Sequence, residues 1–154
     1  MLFLKFQLGK DRYALDSGQV VEVLPLLDIK RIPRAPAGVA GVFNYRGKPV
    51  PVIDLSELAL GRPARLHMST RIIVVRYPGG NGTQHQLGLI AEKATETVRR
   101  DPSDFTDSGV INDGASYLGP VATDPDGLLQ WIDATKLLTA PVRDVLFKQP
   151  PEQQ

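Results

Sequence analysis

Leu2, Leu4, Phe6 and Leu8 alternate with Phe3, Lys5 and Gln7, a period of two that predicts a first strand with one buried face. Gly9 to Asp11 turns the chain, and Arg12 to Leu15 predicts the returning strand. The β signal resumes at Val20 to Leu24 and stops at Pro25, which cannot donate to a ladder and so marks an edge or an end. In the stretch VFNYRGKPVPVIDL (42–55) a charged arginine sits in a polar turn between two apolar runs. Val50 and Val52 fall on one face of the second run and Pro49, Pro51 and Ile53 on the other, so the prolines predict an edge strand. Asn44 and Gly47 are the residues expected to supply the positive backbone angles of the turn, with Arg46 between them.

Few segments have helical length. RIPRAPAGVAGVFNYRG allows one helical turn at Pro36 to Val39, with Pro36 at a first helical position. In DLSELAL an aspartate is placed to cap a brief helix that Gly61 and Pro63 end. TRIIVVRY and HQLGLIAE, joined through PGGNG, predict a hairpin. Further strands are expected near Thr95 to Arg99, Tyr117 to Val121 and Leu128 to Ile132, with polar turns at DPSD and DPDG. DATKLLTAPVRDVLF has a cap candidate in Asp133 and apolar residues at helical spacing, with Pro141 breaking the pattern. The reading is a single all-β domain over 1–146 with a short C-terminal helix, and a disordered tail over 147–154.

The bulk numbers narrow the function classes. A chain of 154 residues is long enough for one compact unit that buries roughly 70% of its unfolded surface. It has no cysteine, hence no disulfide, in agreement with a reducing compartment. With 18 basic and 17 acidic residues the formal net charge is +1, which offers no field for capturing nucleic acid or an anionic membrane. MLFLKFQLG lacks the basic and apolar regions of a signal peptide, and the other apolar runs are far short of the ~18 residues of a spanning helix. A cytoplasmic protein without membrane insertion is expected.

Candidate chemistry is thin. His67 and His85 are the two histidines, and without cysteine they make no usual zinc constellation, so neither metal nor cofactor is expected. No acid or nucleophile shares a motif with either, which argues against an enzyme. PGGNG lacks the following helix of a phosphate loop. Asp101, Asp104, Asp107 and DPDG lack the spacing and terminal glutamate of a calcium loop, so turns explain them better. Trp131, in an apolar strand, fits a core residue better than a ligand platform. Arg46 resists such dismissal. It either pairs with a nearby carboxylate such as Glu22 or contacts a partner, and both can hold, because a pair that positions a guanidinium also prepares it for recognition.

The segments FLKFQLGKDRYALD, VVEV, RIPRAPAGVAGVFNYRG, KPVPVIDL, RIIVV, QLGLIAEKATETV and LLQWIDATKLL together resemble the CheW-like adaptor domain of bacterial chemosensory arrays. The NYRG element followed by PVIDL is similar to that family's N-x-R-G and P-x-x-D-L signature, in the same order and spacing. The resemblance implies two intertwined five-stranded barrels of SH3-like type packed through a shared apolar core. It further implies an adaptor without catalysis, coupling the tip of a methyl-accepting receptor to the regulatory domain of a CheA-type histidine kinase. By motif position Val20, Glu22, Ile29, Arg46 and Ile72 resemble receptor-groove residues, the apolar ones filling the contact and Glu22 and Arg46 orienting it. Kinase contact is expected on the first barrel's turns near Gly41 and Val42.

The chain departs from the family pattern at Ala91 to Ala94, where a V-D-x-V type element is usual, and at Trp131, usually aliphatic. Both bear on the second barrel's partner surface. A stand-alone adaptor is the simplest expectation; the alternative is a decoy or inhibitor that binds the kinase without engaging receptors. A small hydrolase on a β-barrel is opposed by the lack of catalytic residues.

Overall fold

The computed structural model of the chain describes residues 1–78, 83–110 and 113–147. Nine strands occur among them: β1 (Leu2–Leu8), β2 (Asp11–Asp16), β3 (Val20–Pro25), β4 (Val39–Tyr45), β5 (Lys48–Asp54), β6 (Arg71–Pro78), β7 (Gln84–Arg99), β8 (Leu118–Asp124) and β9 (Gly127–Ile132). Two short helices join them, α1 (Leu55–Leu60) and α2 (Ala140–Leu146). The strands pair as two five-stranded halves that share β7. The first half runs β3–β6–β7–β5–β4 and the second β7–β1–β2–β9–β8. An isolated bridge closes each. Lys30 and Val42 exchange backbone hydrogen bonds of 2.8 and 2.9 Å in the first, and Thr106 and Val121 two of 2.8 Å in the second. The all-β expectation of two intertwined five-stranded barrels is met.

β7 spans what the sequence predicts as a hairpin strand and a separate strand near Thr95. It is one strand of 16 residues. Lys93 takes a φ of 51°, and the register against β1 slips between Lys5↔Glu96 and Gln7↔Glu92. A bulge of this kind bends a strand and adds twist, and here it carries β7 from one barrel into the other.

Three apolar clusters follow from the alternation of side chains. Phe43, Tyr45, Val50, Val52, Ile72, Val74 and Ile90 fill the first barrel. Phe3, Ala14, Phe105, Ala122 and Leu129 fill the second, with Trp131 packed against them. The largest cluster lies between the barrels and takes Leu4, Phe6 and Leu8 from β1, Ile73, Val75 and Tyr77 from β6, and Leu87, Leu89 and Ala91 from β7. The unbroken run Ile72 to Val75 is thereby explained: alternate residues serve different clusters, so β6 is covered on both faces. Trp131 meets Phe3 edge-on at a centroid distance of 4.8 Å and Phe105 at 5.1 Å, in line with the core reading.

The prolines of β5 fall where expected. Pairing of β5 with β7 begins only at Val52↔Gly88, so Pro49 and Pro51 precede it and occupy the edge portion of the strand. Asp54 caps α1, its carboxylate accepting the Glu57 N–H at 3.2 Å, and Gly61 closes the helix in the left-handed conformation.

Some local readings hold, such as the turn at Pro36 and the cap at Asp133, and others are corrected. Pro36 to Val39 is a single turn, closed by the Val39 N–H to the Pro36 carbonyl, and Val39 already opens β4. Asp133 heads a three-residue 3-10 turn over Ala134–Lys136. Pro141 does not break a helix. It sits in the first turn of α2 under the Thr139 cap, where its missing N–H leaves no intrahelical bond unmade. Phe147, assigned to the tail, stacks on His85 at 4.4 Å and on Tyr77 at 5.5 Å. The centre of the PGGNG connection and the tail beyond Phe147 lie outside the described residues.

Candidate functional site: a guanidinium rim at the β4–β5 hairpin

Tyr45 pairs with Lys48, so Arg46 and Gly47 form a two-residue hairpin loop. Both have positive φ, 52° and 85°, as a type I′ turn requires. Gly47 meets the expectation for a positive angle; Asn44 does not, because Arg46 takes the other one. Asn44 acts through its side chain instead, Oδ1 accepting the Gly47 N–H at 2.8 Å. A non-glycine residue held at positive φ costs on the order of 1–3 kcal/mol, and the Asn44 bond helps to offset that cost. The conformation fixes where the Arg46 side chain leaves the backbone.

From there Arg46 donates through Nη2 to Glu22 Oε1 at 2.8 Å, and the Tyr45 hydroxyl donates to the same oxygen at 2.7 Å. The Arg46 guanidinium also lies over the Tyr45 ring, 5.4 Å from its centroid. The Tyr45 hydrogen bond and then that of Arg46 hold the Glu22 carboxyl below its ordinary range. The same contact with Glu22 pushes the Tyr45 hydroxyl up. The three groups are therefore a carboxylate, a neutral phenol and a guanidinium at neutral pH. Because the Arg46 side chain is 74% exposed, the pair adds little to stability. Its value is orientation: Glu22 and Tyr45 hold one side of the guanidinium, and its exposed N–H groups are open to an acceptor on another molecule.

The other expected receptor-contact residues divide. Val20 and Glu22 lie on β3 on either side of a register shift against β6, which breaks the strand's alternation. Ile29 is half-buried, in the segment after β3, and packs against the first barrel's cluster. These three and Arg46 retain exposed surface. Ile72 does not: it is fully buried in the interior of the first barrel. The expectation that Ile72 fills a partner contact is corrected to a packing role, since a side chain inside a closed barrel has no surface to offer.

Gly41 and Val42 are placed differently from the expectation of a turn. They lie in the middle of β4 rather than in a turn. Gly41 has a φ of 151°, and a Cβ there would stand 2.1 Å from the Lys30 carbonyl oxygen. Only glycine lets the segment after β3 approach closely enough for the Lys30↔Val42 bridge that closes the barrel. Val42 is half-buried beside it.

Sequence reasoning missed Tyr45 as a member of the rim. Its signal was adjacency, an aromatic residue directly before the arginine whose ring body is buried and whose hydroxyl reaches a carboxylate. Two of the aspartates read as turn residues are in turns: Asp101 accepts the Ser103 N–H and Asp107 the Gly109 N–H, both at 2.9 Å. No group of residues able to hold a metal ion occurs among those described. None of the described helices is long and apolar enough to cross a membrane.

Comparison with known proteins agrees with this architecture. Residues 2–142 match the family model described as a CheW-like domain. The chain is 32% identical over 130 residues to the chemotaxis protein CheW of Treponema pallidum, covering 73% of this chain and 74% of that one. It is 35% identical over 114 residues to protein FrzA of Myxococcus xanthus, covering 74% and 68%. The crystal structure of the scaffolding protein TtCheW from Thermoanaerobacter tengcongensis superposes with a TM-score of 0.79 at 26% identity, covering 92% of this chain and 89% of that one. With a closed pair of barrels, the NYRG hairpin in place and a family match over nearly its whole length, the chain belongs to the CheW-like domain family.

Proposed function

We propose that the protein is a non-enzymatic adaptor that couples methyl-accepting chemoreceptors to a CheA-type histidine kinase in a receptor array. The observation that carries this reading is the Tyr45–Glu22–Arg46 rim, a pre-oriented guanidinium held by a strained turn, on a chain of the CheW-like family. A recognition residue gains from being fixed before it binds, because less rotamer entropy is lost on association. Val20 and Ile29 supply apolar surface, while Glu22 and Arg46 set the orientation of a receptor helix. The kinase's regulatory domain is assigned to the β4 face that includes Val42, with Gly41 shaping that face through the barrel closure.

Reconstitution with a receptor signalling fragment and the kinase tests the reading. A coupler brings kinase activity under receptor control, and Arg46→Glu removes that control while kinase binding persists. A decoy binds the kinase and lowers its activity whether or not receptor is present. Failure to bind either partner contradicts both readings.

A further inference from the structure

The segment joining α1 to β6, GRPARLHMST (61–70), contains Arg62, Arg65 and His67 but no carboxylate. Within it Leu66 is 77% exposed and Met68 98%. The segment is not loosely held. Ala64 is buried, and its N–H donates at 2.9 Å to Asp54 Oδ2, the carboxylate that also caps α1. Thr70 is buried, and its hydroxyl donates to the Arg65 carbonyl and accepts the His67 N–H at 3.2 Å. The Ser69 carbonyl accepts the Ala94 N–H from β7 at 3.2 Å. Anchors on both sides thus present an apolar pair to solvent. Single exposed apolar residues are ordinary, whereas here two large ones stand two positions apart on one braced segment.

A cleft of about 300 Å³ opens beside this segment, lined by Gly9, Lys10, Arg62, Pro63, Arg65 and Glu92. Lys10 comes from the β1–β2 turn. Gly9 has a φ of 61°, and a Cβ there would stand 3.2 Å from Arg62 Nη2, so the glycine lets the guanidinium lie against the turn. None of Lys10, Arg62 and Arg65 has an ion-pair partner among the described residues. Three cations without an ion pair among the described residues therefore line a cleft beside the segment that carries Leu66 and Met68, and Glu92 is the one carboxylate in the lining.

We propose that this braced segment and the β1–β2 turn form a second docking surface, separate from the Arg46 rim, for a protein segment that carries carboxylates beside apolar side chains, such as an acidic amphipathic helix. The guanidinium forks of Arg62 and Arg65 match carboxylates. Leu66 and Met68 supply the apolar anchor, methionine adapting its shape to the partner. A membrane fits less well. Juxtamembrane recognition of anionic lipid uses clusters of roughly 4–8 basic residues, whereas this cleft has three and the chain's net charge of +1 provides no long-range attraction.

The test uses the full chain labelled with 15N and three probes: a synthetic amphipathic helix with glutamates along one face and leucines along the other, the same helix with lysine in place of glutamate, and phosphatidylcholine–phosphatidylglycerol vesicles. Saturable amide shifts with the acidic helix, clustered at Lys10 and over 61–70, are expected. Arg62→Glu with Arg65→Glu, and separately Leu66→Ser with Met68→Ser, should each weaken that binding about tenfold or more without altering the shift dispersion of the fold. The proposal is overturned if the acidic helix causes no saturable shifts or binds no better than its lysine counterpart. It is equally overturned if the shifts centre on Glu22 and Arg46, if vesicles alone are bound, or if 61–70 responds only to self-association of the chain.

Discussion

Arg46 reaches Glu22 across the gap between two strands that are not hydrogen-bonded neighbours: β4 carries the hairpin, β3 carries the carboxylate, and Nη2 stands 2.8 Å from Oε1. Tyr45 shares the same oxygen. The carboxyl of Glu22 is depressed when folded, so the contribution of these contacts is complete above the ordinary carboxylate range and is lost only as pH falls through the lower folded value. An NMR titration of the Glu22 carboxyl should give a midpoint below that of an unperturbed glutamate. Tyr45→Phe, which removes the larger cause, should move it up. A midpoint that does not respond to Tyr45→Phe contradicts the assignment of that hydrogen bond.

Gly41 lets the first barrel close at the Lys30↔Val42 bridge. Gly41→Ala forces a Cβ against the Lys30 carbonyl and breaks the two Lys30↔Val42 hydrogen bonds. With about 1 kcal/mol for each bond and 1–3 kcal/mol of backbone strain, a loss of about 3–5 kcal/mol is expected in urea denaturation. A variant that keeps full stability yet loses kinase binding would instead assign Gly41 to the interface.

Much of this architecture is legible in the chain. The cap at Asp54 and the edge prolines at Pro49 and Pro51 are local patterns with local causes, and each sits where the pattern places it; the alternation of Leu4, Phe6 and Leu8 also holds, but Phe3 on the opposite face is fully buried in the second barrel, so β1 has more than one buried face. What escaped were features set by tertiary contact. Continuity of β7 depends on a bulge at Lys93 that no propensity announces. The left-handed angle fell to Arg46 rather than Asn44, because the Asn44 side chain braces the turn from outside it. Ile72 reads as a neighbour of the groove, but β6 is covered on both faces, so its residues of either parity are buried and none of Ile72 to Val75 offers surface.

Asp54 does two jobs with one carboxylate, capping α1 and holding Ala64. Asp54→Ala removes a cap and leaves a buried N–H unpaired, together costing about 2–4 kcal/mol. Asp54→Asn retains one acceptor oxygen and should fall between the two. Equal stability of all three proteins in urea would show that neither bond matters.

Ser56 is buried in α1, and its hydroxyl has no hydrogen-bond partner among the described residues. Ser56→Ala removes an unsatisfied group and improves helix propensity, so a gain of about 1 kcal/mol is expected. Calorimetry should show a rise of several degrees in Tm for a domain of this size. A lower Tm would mean that the hydroxyl is satisfied in solution.

Trp131 is the single tryptophan and packs on Phe3 in the second barrel. Since β7 belongs to both barrels, its fluorescence and the far-UV signal of the whole sheet should follow one denaturation curve. Phe3→Ala should shift both together by about 3–5 kcal/mol. Separate transitions would show that the barrels fold independently.

The Arg46 guanidinium is oriented by Glu22 and Tyr45, and at 74% exposure its ion pair adds little to stability. The direct measurement is receptor control of kinase activity in a reconstituted array containing Arg46→Glu. The account predicts a protein with unchanged Tm and kinase affinity that no longer places the kinase under receptor control. Retained control at full strength, or a variant that unfolds, would contradict it.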